Sequence, residues 1–124
     1  MNIIIDTHIY LWALSDPEKL TPNFRAELET PTNTIFVSAI TVAEIMIKSS
    51  IGKLDVSFDP EEMATRSGFE LLDFSARDAL PLKELPFHHR DPFDRMLISQ
   101  GISRDYNLMT QDPKFGMYDC KLLV

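Results

Sequence analysis

Three features are scarce in this sequence, and each absence narrows what the protein can be. The chain has one cysteine, Cys120, in 124 residues, which excludes a disulfide framework and a cluster of thiolate metal ligands. Basic residues are few, because 12 Lys and Arg stand against 19 Asp and Glu, for a net charge of −7. A broad basic surface for nucleic acid is therefore absent, and a phosphate-bearing substrate would need local cations or metal ions.

Long apolar runs are also missing. No run approaches the ~20 residues that span a bilayer, so we expect no membrane association. The first six residues reach a carboxylate after three isoleucines and carry no basic side chain, so we expect no signal peptide. With the single cysteine, these features predict a cytoplasmic protein.

The remaining composition is that of a folded globular chain. Apolar residues make up 44% and charged residues 25%, and the length predicts one domain over residues 1–124. Apolar runs predict strands at 2–5, 34–37, 69–72, 108–109 and 122–124. Caps, prolines and helical spacing predict helices at 7–14, 22–28, 40–51, 60–67, 92–104 and, briefly, after residue 75. This alternation predicts an α/β fold whose mainly parallel sheet is covered on both faces.

Acidic residues follow the predicted strands. Asp6 comes directly after the first strand, Glu44 lies on the helix after the second, and Asp112 follows the run at 108–109. Asp91 and Asp94 begin the helix that leads into that run. Each acid alone has a structural explanation as a helix cap, a turn residue or a solvated side chain. Together they converge on one sheet edge, where they would repel one another unless a cation lay between them.

The cation that fits these side chains is Mg²⁺, or Mn²⁺. Carboxylate oxygens are its preferred ligands, and no Cys or paired His has zinc spacing. The adjacent His88 and His89 would point to opposite faces of an extended chain, which disfavours joint ligation. They are interpreted as a loop pair beside the site that touches phosphate, with a solvated loop as the alternative.

Other polar and apolar residues near the predicted site carry weaker expectations. Thr7, Ser38 and Thr110 are hydroxyl residues beside strand ends. They either hydrogen-bond the carboxylates or cap helices. Arg95 either binds substrate phosphate or forms an ordinary salt bridge. An apolar patch for protein partners is a further hypothesis, with burial in the core as its alternative, and its candidates are Trp12, Phe24, Phe58 and Met63.

Four segments, taken in order, resemble the PIN-domain family, in particular its VapC-like ribonuclease toxins of type II toxin–antitoxin pairs. They are residues 4–8 (IIDTH), 38–45 (SAITVAEI) with the tail to 54, 85–98 (LPFHHRDPFDRMLI) and 109–112 (MTQD). The stretch 88–98 is the most specific of these, and the resemblance covers nearly the whole chain. Ser99 and Gly101 depart from the alanines usual in the family, and they are interpreted as packing positions.

The resemblance implies both a fold and an activity. The fold is a three-layer α/β/α sandwich, and the four acidic positions of the family fall on Asp6, Glu44, Asp94 and Asp112, with Asp91 as an additional candidate ligand. The implied activity is Mg²⁺-dependent cleavage of RNA by a homodimeric toxin. A cognate antitoxin would cover the active-site groove with its C-terminal segment.

Metal-assisted phosphodiester hydrolysis is the mechanism that these acids favour. Two alternatives stay open: a DNA-cleaving nuclease that uses the same site, and a non-catalytic module that binds RNA or protein. Pure RNA binding is disfavoured, because the acids would repel phosphate in the absence of metal. An aspartyl-phosphate phosphatase would need a second acid two residues after Asp6, where this chain has His8.

Overall fold

A strand of consecutive isoleucines lies at the centre of the molecule. The structure, a computed structural model, describes residues 1–123. In β1 (Asn2–Ile5), the side chains of Ile3, Ile4 and Ile5 are all fully buried. Because successive side chains of a strand point to opposite faces, this burial requires cover on both faces of the sheet.

Four further strands complete the sheet. They are β2 (Thr34–Ser38), β3 (Glu70–Leu72), β4 (Asn107–Met109) and β5 (Lys121–Leu122). All neighbours pair in parallel, in the order β3-β2-β1-β4-β5. The predicted strands agree with these bounds to within a residue, except that the last one, predicted at 122–124, ends at Leu122. Val124 lies outside the described residues.

Within residues 1–123, six α-helices connect and cover the strands. They are α1 (Thr7–Ser15), α2 (Pro22–Glu29), α3 (Ala39–Ser50), α4 (Pro60–Arg66), α5 (Ala76–Ala79) and α6 (Pro92–Arg104). The predicted caps at Thr21, Ser75 and Asp91 each accept a backbone N–H from the first turn of their helix. Such caps satisfy donors that have no partner within the helix.

Two apolar clusters, one on each face of the sheet, form the core. Ile3 and Ile5 pack with Ile9 and Tyr10 of α1, whereas Ile4 packs with residues of α6 in the second cluster. The two covered faces confirm the predicted α/β/α sandwich. Of the four residues predicted as an apolar patch, Phe24 is buried in the first cluster. Trp12, Phe58 and Met63 are partly buried.

Two of the residues that depart from the family pattern, Ser99 and Gly101, lie at closely packed positions of α6. A Cβ atom added at Gly101 would lie 2.9 Å from Cγ of Leu108, which is too close without a shift. Ser99 is fully buried, and its hydroxyl donates to the carbonyl oxygen of Asp78. Both positions therefore serve packing, as the sequence predicts.

The strand order brings three chain segments to one edge of the sheet. The chain leaves β1 for β2 on one side and later returns to β4 on the other side. The carboxyl ends of these neighbouring parallel strands meet where the order reverses, which is the usual ligand-binding position in such sheets. Among the described residues, no helix is long and apolar enough to cross a membrane.

Candidate metal centre

Asp6 lies at the carboxyl end of β1 and is 6% exposed. Its Oδ1 accepts the backbone N–H of Ile9 at 2.8 Å, so it caps α1. Burial raises the pKa of Asp6 above its usual 3.8, and hydrogen bonds from Thr110 and from Ile9 only partly offset this effect. The capping role predicted for Asp6 is therefore observed, and its role as a site residue stays a prediction.

Glu44 enters the same edge from α3 and is 3% exposed. The Thr7 hydroxyl donates to its Oε1 at 2.5 Å, and the ammonium of Lys48 donates to its Oε2. This hydrogen bond raises the pKa of Lys48. The negative charges of Glu44, Asp91 and Asp94 raise it further. Thr7 thus orients a buried carboxylate, which is one of the two roles predicted for it.

The first turn of α6 supplies two acids with different surroundings. Asp91 caps the helix, because its Oδ1 accepts the N–H groups of Phe93 and Asp94 at 2.9 and 3.1 Å. The pKa of Asp94 is raised to about 7 by burial, then by the charge of Asp91, with smaller contributions from Glu44 and Asp6. Charges of one sign therefore accumulate around Asp94.

Asp112 reaches the cluster from the end of β4. Its N–H donates to the hydroxyl of Thr110 at 3.0 Å, and its Oδ1 accepts the N–H of Lys114 at 2.9 Å. Thr110 thus holds the backbone of Asp112, and it also acts to lower the pKa of Asp6.

His89 is a residue of the cluster whose position the sequence leaves open. It is 7% exposed, so the solvated-loop alternative is wrong for this residue, whereas His88 is exposed. Its Nε2 lies 2.8 Å from Oδ2 of Asp94 and 2.9 Å from Oδ2 of Asp112. Its Nδ1 accepts the N–H of Asp91 at 3.2 Å, which favours the tautomer that carries its proton on Nε2. His89 then donates to both carboxylates.

Arg95 and Ser38 lie close to the site but face backbone groups. The guanidinium of Arg95 is buried and donates to the carbonyls of Leu85, Pro86 and His89. It therefore holds the loop that carries His89, instead of presenting its charge to solvent. Ser38 caps α3 by accepting the N–H of Ile40 at 3.1 Å. The capping alternative therefore describes Ser38. Arg95 is 8% exposed and directs its guanidinium at backbone carbonyls, and its contact with substrate phosphate stays a prediction.

The arrangement is suited to a divalent cation. Single ligand atoms of His89, Asp94 and Asp112 lie within 4.8 Å of one another. Asp6, Glu44 and Asp91 are near enough for their charges to raise the pKa of Asp94. With its proton on Nε2, His89 serves as a donor to the carboxylates and not as a metal ligand. The oxygen ligands of Asp94 and Asp112, with negative charge around them, suit Mg²⁺ or Mn²⁺ better than Zn²⁺.

Comparison with known proteins agrees with this geometry. The family model of the PIN domain matches residues 3–119. The chain belongs to the PIN-domain family. PIN domains are typically nucleases, so membership supports nuclease activity. No curated protein matches the chain significantly.

Several solved PIN-domain structures share the fold. The chain is similar to VapBC2 from Rickettsia felis bound to a DNA fragment from its promoter, with a TM-score of 0.75, 23% identity, and coverage of 99% of this chain and 98% of that chain. It is also similar to DNA-bound VapBC from Salmonella typhimurium, with a TM-score of 0.68, 18% identity, and coverage of 99% and 97%. VapBC-1 from nontypeable Haemophilus influenzae has a TM-score of 0.65, 19% identity, and coverage of 99% and 97%.

Proposed function

We propose that this PIN domain is a Mg²⁺-dependent endoribonuclease, the cytoplasmic toxin of a type II toxin–antitoxin pair. The observation that carries the proposal is the convergence of acids from separate chain segments around Asp94. Carboxylates are not held in this way for stability alone, because each one raises the free energy of its charged neighbours. A bound metal ion would offset this repulsion and could at the same time bind the substrate phosphate.

Each acid has a proposed role in hydrolysis. Asp6, Glu44 and Asp94 bind the metal directly or through water, while Asp112 holds a second ion or orients the attacking water. Asp91 adds negative charge, and Mn²⁺ is an alternative ion. A bound divalent cation lowers the pKa of its water and neutralises charge on the scissile phosphate.

Hydrogen bonds keep these acids in place before any ion binds. Thr7 fixes one oxygen of Glu44, and Thr110 lies between the segments of Asp6 and Asp112. His89 holds Asp94 and Asp112 together through its Nε2. Such partners set ligand orientation and affinity, so their loss weakens metal sites about 10- to 100-fold.

A cognate antitoxin is the proposed protein partner. The similar solved structures include a member of the VapBC family of toxin–antitoxin systems from Mycobacterium tuberculosis and DNA-bound VapBC complexes. A net charge of −7 also favours a basic partner segment. By the same family resemblance, we propose that the toxin is a homodimer.

Cleavage of a mixed RNA pool tests the proposed activity. Purified protein is incubated with total cellular RNA in Mg²⁺, in Mn²⁺ and in EDTA, beside the Asp94→Asn variant and with single-stranded DNA in a parallel arm. We expect RNA cleavage by the wild type with metal only. Cleavage of DNA alone would favour the DNA nuclease, and absence of cleavage of total RNA, which contains tRNA and rRNA, would favour a binding module.

A further inference from the structure

A groove opens directly beside the acidic cluster. Its volume is ≈ 390 Å³, and Asp6 and Asp112 form one side of it. The remaining lining residues are His8, Trp12, Gln111 and Pro113. A substrate whose phosphodiester lies at the acids would therefore place an adjacent part of itself in this groove.

Two aromatic rings from α1 line the groove. His8 and Trp12 are four residues apart, which places them on one helix face. Their ring centroids are 5.9 Å apart, with an angle of 46° between the planes. Trp12 also packs partly against the core, so its ring is held by neighbours on one side. A fixed and partly accessible indole is a suitable stacking surface.

The polar groups of the groove match a nucleobase with its backbone. Gln111 is exposed and offers both amide donors and a carbonyl acceptor, the groups that pair with the edge of a base. Nζ of Lys19 lies 6.0 Å from the centroid of the Trp12 ring and 3.8 Å from Oδ2 of Asp16. This ammonium is the cation next to the indole, although it shares its charge with Asp16.

We propose that this groove binds one nucleobase of single-stranded RNA, stacked on Trp12, while the neighbouring phosphodiester lies at the acidic cluster. The inference rests on the proposed nuclease function, and it identifies a nucleobase as the part of the substrate that the groove binds. An acidic protein gains little affinity from phosphate contacts alone. Base–aromatic stacking supplies affinity that does not depend on charge and accepts any base.

The emission of Trp12 gives a direct test, because it is the only tryptophan in the chain. The wild-type protein is titrated in Mg²⁺ with a short, mixed-sequence single-stranded RNA whose linkages are hydrolysis-resistant phosphorothioates, so that the metal site stays intact and cleavage does not consume the ligand. Binding is followed in parallel by the anisotropy of a labelled RNA. We expect a saturable loss of Trp12 emission, and a much smaller loss with an RNA of the same length that lacks bases.

Variants of Trp12, made in the same protein, distinguish the contribution of aromatic stacking from that of side-chain size. Trp12→Leu should weaken RNA binding roughly tenfold, whereas Trp12→Phe should retain most of the affinity because it keeps an aromatic face. Circular dichroism confirms that both variants fold. Phe87 is a matched control, since its side chain is 79% exposed but does not line the groove. Phe87→Leu should leave RNA binding and Trp12 emission unchanged.

The proposal is overturned if the RNA binds without changing Trp12 emission, if the RNA without bases quenches equally, or if the RNA does not bind. A groove that responds only to a peptide of a partner protein would also overturn it. Cleavage by the wild type is scored separately. If RNA is cleaved but Trp12 emission does not change, the base site is refuted and the proposed nuclease activity stands. If RNA quenches Trp12 emission but is not cleaved, only the proposed nuclease activity is refuted.

Discussion

Two aspartates in this molecule, one buried and one partly buried, have opposite electrostatic surroundings. The side chain of Asp78 in α5 is 1% exposed, and that of Asp94 in α6 is 21% exposed. Arg104 donates to both oxygens of Asp78 at 3.0 and 3.1 Å. Burial alone would raise the pKa of Asp78, but the hydrogen bonds from Arg104 and Ser75 hold it well below its usual 3.8.

Asp94 has the reverse balance. Burial and the charge of Asp91 raise its pKa to about 7, and His89 opposes that rise only in part. We interpret this difference as that between a structural carboxylate and one with a proposed functional role. At Asp78 the protein supplies its own counter-charge, whereas at Asp94 the negative charge exceeds what neighbouring cations neutralise. A site of the second kind is ready for a cation from solution.

The same substitution at the two aspartates should give opposite results, and the largest effect is expected at Asp94. Asp94→Asn removes a proposed metal ligand, so RNA cleavage should fall by at least about 100-fold. Its metal-free stability should not fall, because the change removes one charge from a repulsive cluster. Initial cleavage rates and urea unfolding in EDTA measure the two quantities. A variant with much lower stability in EDTA would contradict the repulsion that we infer.

His89→Ala tests whether the acids depend on their shared donor. The imidazole lies between Asp94 and Asp112, so its loss should lower cleavage about 10- to 100-fold. His89→Gln, which keeps a donor, should recover part of the rate. Cleavage rates measured over a range of Mg²⁺ concentrations should show a lower apparent affinity for Mg²⁺ in His89→Ala. A merely structural role of His89 would leave this affinity unchanged.

Asp78→Asn should affect stability instead of activity. The substitution removes the ion pair with Arg104 and turns an amide donor toward a guanidinium, at a cost of about 2 kcal/mol. The melting temperature should fall by about 8 °C. The cleavage rate per folded molecule should stay near the wild-type value, as measured below the transition. A tenfold loss of rate in folded protein would mean that the two regions are coupled.

The pH dependence of stability should also distinguish the two aspartates. The pKa of Asp94 is raised in the folded state, so the metal-free protein loses stability as pH rises from about 4 to above 7. The lowered pKa of Asp78 acts in the opposite sense, since its stabilisation is lost as pH falls below about 4. Urea unfolding in EDTA at about pH 5 and about pH 8 should show a smaller decrease in Asp94→Asn than in wild type. An equal decrease would assign the effect to other groups.

The fold follows from local signals in the sequence. Runs such as Ile3 to Ile5 can be buried only in a strand covered on both faces, and caps such as Asp91 followed by Pro92 mark helix starts within a residue or two. The convergence of Asp6 and Asp112 follows in turn, because parallel strands end at one edge. These features depend on neighbours in the chain or on one general rule of topology.

The details that the sequence does not predict depend on contacts between distant residues. His89 and His88 are equivalent by composition, and only the packing of the loop buries the first and exposes the second. The hydrogen bonds from Arg95 to backbone carbonyls of the loop cannot be predicted from the sequence, because every residue carries the same carbonyl acceptor. The pair of Asp78 and Arg104 joins residues 26 positions apart. Side-chain direction in such cases is decided by tertiary packing.

The central claim, that the cluster around Asp94 awaits a divalent cation, is tested most directly by thermal melting with and without Mg²⁺. The melting temperature is measured in EDTA and in saturating Mg²⁺ for wild type, Asp94→Asn and Asp78→Asn. An ion that binds only the folded state raises its stability. We predict that Mg²⁺ raises the melting temperature of wild type and of Asp78→Asn, but not that of Asp94→Asn. An equal rise in Asp94→Asn, or no rise in wild type, would contradict the account.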